Sequence, residues 1–371
     1  MQTIRVLHIV PNMQQGGIEN FLMNIYRNID REKVQFDFLV HYQKKYFFDD
    51  EIEKLGGKIY RLSVREDNNL IKYIHDLNKF FKEHNEYRIV HGHMASLGYF
   101  YLNAAKENGV PIRIAHSHGA NYLKTLKGYT KSFLFKLFKL PANIYWACSN
   151  EAGKFLFGKN TKFELIPNAI NMKKFIYNID IRSEVRNELN LNNKLVIGHV
   201  GRFNLQKNHS FILDIFNEIH KINSNTVLIL IGSGELEKNI KEKINKLKLN
   251  DDVKLLGIRN DVNRIYQAMD LFLMPSLFEG LPLTGVEAQA SKLRCFFSDV
   301  ITNEVKITNN IKFIPLSETP KKWAELMLKE AYYNRDAVKI ENDRFNIINL
   351  SKELQQKYIK FNESSENFGK K

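Results

Sequence analysis

The sequence predicts an α/β protein built from two doubly wound, Rossmann-like domains, and three observations carry that prediction. Short apolar runs rich in Ile, Val and Leu alternate with longer segments of helical period, the pattern of parallel strands joined by crossover helices. The pattern occurs twice, since each half opens with a strand, a polar loop and then a helix, beginning at "GGIENFLMNIY" and at "KNHSFILDIF". The length of 371 residues exceeds what one hydrophobic core sustains.

In chain order the first half offers the strands "IRVLHIV", "FDFLV", "KIYRL", "RIVHGH" and "IRIAHSH", and the second "LVIGHVG", "TVLILIG", "VKLLG", "LFLMPS" and "RCFFSD". In the helix after "LVIGHVG", Phe211, Ile212, Ile215, Phe216 and Ile219 share one face. Between the halves, "PNAINMKKFIYNIDIRSEVRNELNLNN" reads as a domain connection, with the boundary near residues 170–192. That gives an N-terminal domain of residues 1–175 and a C-terminal domain of 190–344. The stretch "NLSKELQQKYIKF", within residues 345–365, is expected to be a helix that packs back on the first domain, and the tail "NESSENFGKK" to fray. Ligands of such sheets bind outside the carboxyl ends of the strands, so the chemistry is sought in those loops and in a cleft between the domains.

Apolar residues make up 44% and charged residues 26%, the balance of a soluble globular protein. The N-terminal apolar stretch is too short for a signal sequence, and no run approaches the roughly 20 apolar residues that span a bilayer. A cytoplasmic location is expected, and the two cysteines, Cys148 and Cys295, are too few for a disulfide framework. The formal net charge of +14 favours an anionic partner. Nucleic acid is not expected, because the basic residues are scattered and no zinc-finger spacing, RNP-like strand or zipper accompanies them. One segment stands apart: between Glu107 and Glu151 there is no acid, while Arg113, Lys124, Lys127, Lys131, Lys136 and Lys139 fall inside it. Phe133, Leu134, Leu137, Phe138 and Leu140 lie among these lysines, as in a basic amphipathic helix on a membrane surface. The competing reading is a helix whose apolar face packs on the first domain.

The chemistry concentrates in "FEGLPLTGVEAQAS", residues 278–291, where Glu279 and Glu287 bracket a Gly-x-Pro turn after an apolar strand. Acids placed there need hydrogen-bond donors, so a polar ligand is expected. Pro favours the first turn of a helix, which puts Glu279 on the loop with Gly280 and Leu281, and Glu287 in the second helical turn. The amides of Leu283, Thr284 and Gly285 are then free to meet phosphate. A ligand with phosphates in the middle and hydroxyls at both ends, one for each glutamate, is a nucleotide sugar. In "GRFNLQKN", Arg202 and Lys207 flank a loop from which both side chains can converge on a diphosphate. In "NMQQGGIEN", Gly16 and Gly17 allow backbone amides to approach the same phosphates. "GSGELEKN" lacks the third glycine of a dinucleotide fingerprint and reads as a tight turn near the donor. His116 and His118 end a strand, and His91 and His93 lie in "VHGHM"; a structural role competes for both pairs. The second pair lacks the further ligands a zinc site needs. No Asp-x-Asp occurs, so neither a metal nor another cofactor is expected.

"GRFNLQK" together with "FEGLPLTGVE", a Glu-x7-Glu motif, resembles the retaining glycosyltransferases of family 4, which have the GT-B fold. The likeness runs through the whole chain, including "GGIEN", "AHSHG" and "IPNAI", and is greatest to capsule and exopolysaccharide members. The resemblance implies transfer of a sugar from a nucleotide-sugar donor, a UDP-sugar foremost, to a lipid-linked glycan at the inner face of the cell membrane. It implies that Arg202 and Lys207 bind the donor diphosphate, that Glu279 faces the transferred sugar and that Glu287 faces the ribose. Gly17 would lie near the diphosphate, His118 near the sugar, and Ile258 and Arg259 beside the base, with Gly16 and His116 as further sugar or acceptor contacts. After "EAQAS" the family usually has Gly and then Pro, where this chain has Lys292 and Arg294, a departure that bears on the turn after the helix. A sugar-nucleotide epimerase of the same fold and a basic anion-binding protein are the alternatives. An oxidoreductase lacks its fingerprint at the first strand, and a retaining hydrolase needs carboxyl groups about 5–5.5 Å apart, which this spacing disfavours.

Overall fold

The computed structural model describes residues 3–67, 69–118, 137 and 139–368. It divides into two units, Met1–Ala169 with Asn346–Lys371, and Ile170–Phe345. In the first, β1 (Ile4–Ile9), β2 (Val34–Val40), β3 (Ile59–Arg61), β4 (Ile89–Gly92), β5 (Ile112–Ser117), β6 (Ile144–Ala147) and β7 (Glu164–Leu165) form one sheet in the order β3-β2-β1-β4-β5-β6-β7. Every pairing is parallel. Both faces are covered, which is why β2 can be buried along its whole length. The two-residue alternation of the strands sorts their side chains. Val6, Phe36 and Phe38 pack with the helix Gly17–Asn28 and with Ile347, Leu350, Leu354 and Tyr358 of the C-terminal helix, while Leu7, Ile9 and Leu39 pack on the other face with Leu77, Phe81 and Tyr101. Asp37, buried in β2, is held by Arg5 Nε at 2.6 Å, by the Tyr87 hydroxyl at 2.7 Å and by the Lys58 amide at 2.7 Å.

The second unit repeats the plan with β8 (Leu195–Val200), β9 (Thr226–Ile231), β10 (Val253–Leu255), β11 (Leu271–Met274), β12 (Arg294–Ser298) and β13 (Ile311–Ile314), all parallel, in the order β10-β9-β8-β11-β12-β13. Strand order reverses between β8 and β11, and between β1 and β4 in the first unit. These switch points are where an open α/β sheet leaves a crevice for ligands. The loops 201–208 and 275–282 leave the carboxyl ends of β8 and β11.

Three differences from the sequence reading have physical causes. Strands β6, β7 and β13 are additional, edge-side strands formed by pairing onto β5, β6 and β12. The break falls between Ala169 and Ile170, at the very start of the expected 170–192 connection, so that the connection belongs wholly to the second unit: Ile170 and Met172 pack in that unit's core and the Ile170 amide bonds the Phe345 carbonyl at 2.9 Å. The C-terminal helix Ile347–Phe368 continues through most of the tail that was expected to fray.

Among the described residues no helix is long and apolar enough to cross a membrane, and Cys148 and Cys295 are buried thiols outside any disulfide. Lys124, Lys127, Lys131 and Lys136, with Phe133, Leu134 and Phe138, lie outside the described residues. Lys139 is not presented outward as expected of a surface patch. It is half-buried and donates to the Phe157 carbonyl at 3.0 Å.

Candidate active site

In the second unit the chain leaves β8 at Gly201, whose missing side chain is needed. A Cβ there would stand 2.9 Å from His199 Nε2 and 3.1 Å from Cδ and Cε of Lys207, so glycine lets the lysine stem lie across the strand end. Gly232, at φ 138°, opens the "GSG" turn and packs on the Gly201 carbonyl, where a Cβ would come within 2.1 Å. That motif is therefore a tight turn seated on the loop after β8, joined to it by Phe203 N–H to the Ser233 carbonyl at 2.9 Å.

The loops after β8 and β11 are joined by side chains. Lys207 Nζ lies 2.6 Å from Glu279 Oε1, with the two side chains only 14% and 6% exposed. Gln206 Nε2 donates to Glu279 Oε2 and to the Phe278 carbonyl, each at 3.0 Å, and the Gln206 carbonyl accepts from the Leu277 amide at 2.8 Å. The ammonium and the amide thus offset the cost of burying the Glu279 carboxylate. Arg202 does not join them. Its side chain is 71% exposed and pairs with Glu235 at 3.2 Å, an exposed ion pair worth at most about 1 kcal/mol that a stronger anion displaces readily.

The helix after β11 spans Leu283–Ala290, with Pro282 as its cap, one position before the first helical residue. The Gly285 amide is not free, contrary to expectation, because it donates to the Pro282 carbonyl at 3.0 Å. Among the described residues the Leu283 and Thr284 amides have no backbone acceptor, and the buried Thr284 hydroxyl has no partner. Space is open beside Gly280, while Leu281 and Leu283 lean on the core. Glu287 is half-buried, with Oε2 at 3.1 Å from the Tyr266 hydroxyl. Desolvation pushes its carboxyl up to about 7, partly offset by that hydrogen bond.

The turn after this helix keeps its usual shape without the family's glycine. Lys292 takes the left-handed conformation, φ 59°, and its ammonium caps the Asp336 carbonyl at 3.0 Å. Arg294, in the proline position, bonds Asn310 Oδ1 at 2.9 Å and pairs with Glu330. Ile258 is 78% exposed, and Arg259 forms a bidentate pair with Asp261 at 2.8 and 2.7 Å.

In the first unit, Gly17 opens a helix with clear space at its Cβ position, but the Glu19 carboxylate lies over Gly16, where phosphate was expected. Desolvation raises the Glu19 carboxyl above its ordinary range. His8 on β1 is paired in register with His91 on β4, and the two-residue alternation puts His91 with His93, and His116 with His118, on one face. The rings meet in two files. His118 Nε2 is 2.8 Å from His93 Nδ1, and His93 Nε2 is 3.1 Å from His8 Nδ1. His116 Nδ1 is 3.1 Å from His91 Nε2, and His91 Nδ1 is 2.8 Å from the Tyr358 hydroxyl. Burial keeps the rings neutral, pushing His8 and His118 down to about 3 and the other three well below the ordinary histidine range.

The further ligands that the sequence did not supply for His91 and His93 are therefore present. His8, His91 and His93, and likewise His93, His116 and His118, bring ring nitrogens within 4.8 Å of one another. Neutral imidazoles are the ligating form. Both nitrogens of His93 are nevertheless committed to other imidazoles, and a metal would have to replace those bonds.

Gln206, Tyr266, Glu235 and His8 were not singled out from sequence. Gln206 and Glu235 sit inside loops that were, Tyr266 looks like a core residue of its helix, and the signal for His8 is a lone histidine in an apolar strand. A cavity of about 470 Å³ near Asn193–Leu195, Asn225 and Asp270 lies at the opposite, amino ends of β8, β9 and β11. Its arginines are already engaged: Arg182 and Arg186 hold Asp270, and Arg335 donates to the carbonyls of Tyr266, Gln267, Met269 and Ser291.

Residues 181–329 match the family described as glycosyl transferases group 1, and residues 15–174 match glycosyltransferase family 4. The chain is 34% identical over 340 residues to the putative glycosyltransferase EpsF of Bacillus subtilis, covering 89% of this chain and 88% of that protein. It is 26% identical over 367 residues to the capsular polysaccharide biosynthesis glycosyltransferase CapH of Staphylococcus aureus, covering 96% and 99%. It is 26% identical over 319 residues to the UDP-Gal:alpha-D-GlcNAc-diphosphoundecaprenol alpha-1,3-galactosyltransferase of Escherichia coli, covering 82% of each. In fold it matches Anabaena HepE, solved in complex with UDP and glucose, with a TM-score of 0.74 at 16% identity, covering 95% of this chain and 99% of that one. Two Rossmann-like units, both halves matched by the family and a 34% identical relative over nearly the full length lead to one conclusion: the chain belongs to glycosyltransferase family 4, as a GT-B glycosyltransferase of polysaccharide biosynthesis.

Proposed function

We propose that the protein transfers a sugar, with retention of configuration and without a metal ion, from a UDP-sugar to a lipid-linked glycan at the inner face of the membrane. The observation that carries this reading is the Glu279 carboxylate held by Lys207 and Gln206 beside the open turn at Gly280, at the switch point of the second unit. Support for the donor and the acceptor comes from the UDP and glucose of the HepE structure and from the printed activity of the Escherichia coli relative.

In this reading Lys207, with two ammonium protons beyond the one given to Glu279, and Arg202, released from Glu235, bind the diphosphate with the Leu283 and Thr284 amides, beside Gly280 and Leu281. Glu279 faces the sugar, Glu287 accepts from the ribose, and Ile258 and Arg259 flank the base. In the first unit Gly17 lies near the diphosphate and His118 near the sugar, with Gly16 and His116 as further contacts. The acceptor oxygen attacks the anomeric carbon on the face from which the diphosphate departs. A departing phosphate oxygen takes the acceptor proton, while Arg202 and Lys207 hold the developing charge, the kind of preorganised stabilisation worth about 10²–10³ in rate.

The test is transfer from a UDP-sugar to a diphosphate-linked lipid acceptor with a chelator present, the product anomer being read by NMR. Retention with undiminished rate is expected. An inverted product, or a loss restored by Mg²⁺ or Mn²⁺, overturns the reading. An epimerase would convert the donor with no acceptor present, and the family relatives do not favour it. Membrane association is proposed through Lys124, Lys127, Lys131 and Lys136, each worth about 1 kcal/mol near an anionic leaflet; Lys139 is left out because of its bond to Phe157. Sedimentation with anionic vesicles that resists salt, or that persists when the four lysines become Gln, would rule the patch out.

Glu287 gives this reading a pH signature. A carboxyl raised to about 7 accepts from the ribose most strongly once ionised, so affinity for a UDP-sugar, whose diphosphate has no ionisation of its own in this range, should fall up to about tenfold from pH 8 to pH 6 and be nearly flat in Glu287→Gln. Calorimetric titration across that range checks it, and a flat wild-type profile excludes the role. The stability of the free protein should move the other way. The folded chain keeps a proton that the unfolded chain, at 4.5, gives up, so this group's contribution falls as pH rises from about 4.5 through about 7.

A further inference from the structure

The file His118–His93–His8 has a hydrogen-bond arithmetic of its own. Each ring is neutral and carries one N–H, so three protons serve two imidazole bonds and one proton is left at an end of the file. The two ends are His118 Nδ1 and His8 Nε2, and neither has a partner among the described residues. The tautomers are coupled, because reversing one ring reverses all three. The file is not a proton channel, because His8 is fully buried and its free nitrogen has no outlet. His8 packs against Phe36 at 4.2 Å and Phe38 at 5.7 Å between ring centroids, and a stranded N–H is rarer in such surroundings than an unused lone pair. Nδ1 of His118 is also out of solvent, but it belongs to a part-exposed ring that in the proposed reading meets a ligand able to accept the proton, so the leftover proton belongs at that end.

We propose that His93, backed by His8, is a positioning residue that holds His118 in the Nδ1–H tautomer, so that His118 meets its ligand as a hydrogen-bond donor rather than as a base. This rests on the reading that places His118 near the transferred sugar. A donor there suits a sugar hydroxyl or ring oxygen, and it needs no change of charge during transfer. Phe21 closes the cluster from the helix side, with its ring 5.6 Å from those of both His116 and His118.

The two nitrogens of His93 can be tested apart. Asn places an amide where Nδ1 stands and so keeps the bond to His118; Gln places one where Nε2 stands and keeps only the bond to His8; Phe keeps neither. The experiment measures kcat, KM for the donor and UDP affinity in His93→Asn, His93→Gln, His93→Phe and His118→Ala, with the His118 tautomer read by ¹⁵N NMR of the full-length protein. Expected are a single Nδ1–H tautomer in the wild type and retention of the bonded His118 in His93→Asn, whose amide can still donate to Nε2, with kcat in His93→Asn within about threefold of the wild type. His93→Gln and His93→Phe should lose about 10–100-fold in kcat, as supporting residues behind a reacting group typically do, with UDP affinity unchanged. If His93→Phe fails to fold, the Asn and Gln pair still decides. An Nε2–H tautomer in the wild type, or equal kcat in Asn and Gln, overturns the inference while leaving His118 its role. Full activity in His118→Ala overturns the underlying reading, and the inference with it.

Discussion

Glu279→Gln is expected to lower kcat by about 10²–10³ while leaving UDP affinity within about threefold. The carboxylate is 6% exposed and receives Lys207 at 2.6 Å and Gln206 at 3.0 Å, so it is rigidly aimed before any ligand arrives. Gln keeps the shape and can still accept from Lys207 but removes the negative charge, which matters to a sugar gaining positive character as its diphosphate leaves. Nucleotide binding draws on groups other than this charge, and an unpaired Lys207 attracts phosphate at least as strongly. Calorimetry with UDP and steady-state kinetics separate the two effects. Equal loss of both would take Glu279 away from the sugar and make it a scaffold for Lys207.

Lys207→Ala is expected to do the opposite, weakening UDP binding about 10–100-fold and turnover at least as much, because the diphosphate charge it meets is present before reaction. A hydrogen bond to a charged group contributes about 1.5–3 kcal/mol, which is that range. The substitution also leaves the Glu279 carboxylate with Gln206 alone, and breaking one side of a mostly buried pair costs up to about 3–5 kcal/mol, so a denaturant midpoint must be measured alongside. Arg202→Ala should weaken UDP binding less and leave stability unchanged, since its pair with Glu235 is solvent-exposed. Unaltered UDP affinity in both variants would remove the diphosphate from this loop.

The contrast between Lys207 and Arg202 shows where the sequence stops being informative. Both stand in "GRFNLQKN" at a spacing that suits one diphosphate, and nothing in that string says that the lysine is buried against Glu279 while the arginine is exposed and paired with Glu235. The difference comes from Gly201, which lets the lysine stem lie flat, and from Gln206, which ties the loop to residues 277–279. Glu287 gives the same lesson. Its place one turn into a helix is legible from Pro282, but its raised pKa depends on burial beside Tyr266, a residue twenty-one positions away. The free amide assigned to Gly285 failed for a local reason, since Pro282 caps the helix from outside and its carbonyl takes that proton.

What this sequence determined alone is whatever rests on short-range pattern. Apolar runs and helical periods gave two parallel α/β units, and loops with paired charges and glycine after strands gave the family. Period-two spacing likewise put His91 with His93, and His116 with His118, on common faces. Only the tertiary structure decided which side chains share a partner. His8 meets His93 because β1 and β4 are neighbours across a strand-order reversal, and Tyr358 meets His91 because the last helix returns to the first sheet. The physical reason is range: backbone conformation and amphipathicity are set within a few residues, whereas desolvation, ion pairing and tautomer choice depend on groups brought together from distant parts of the chain.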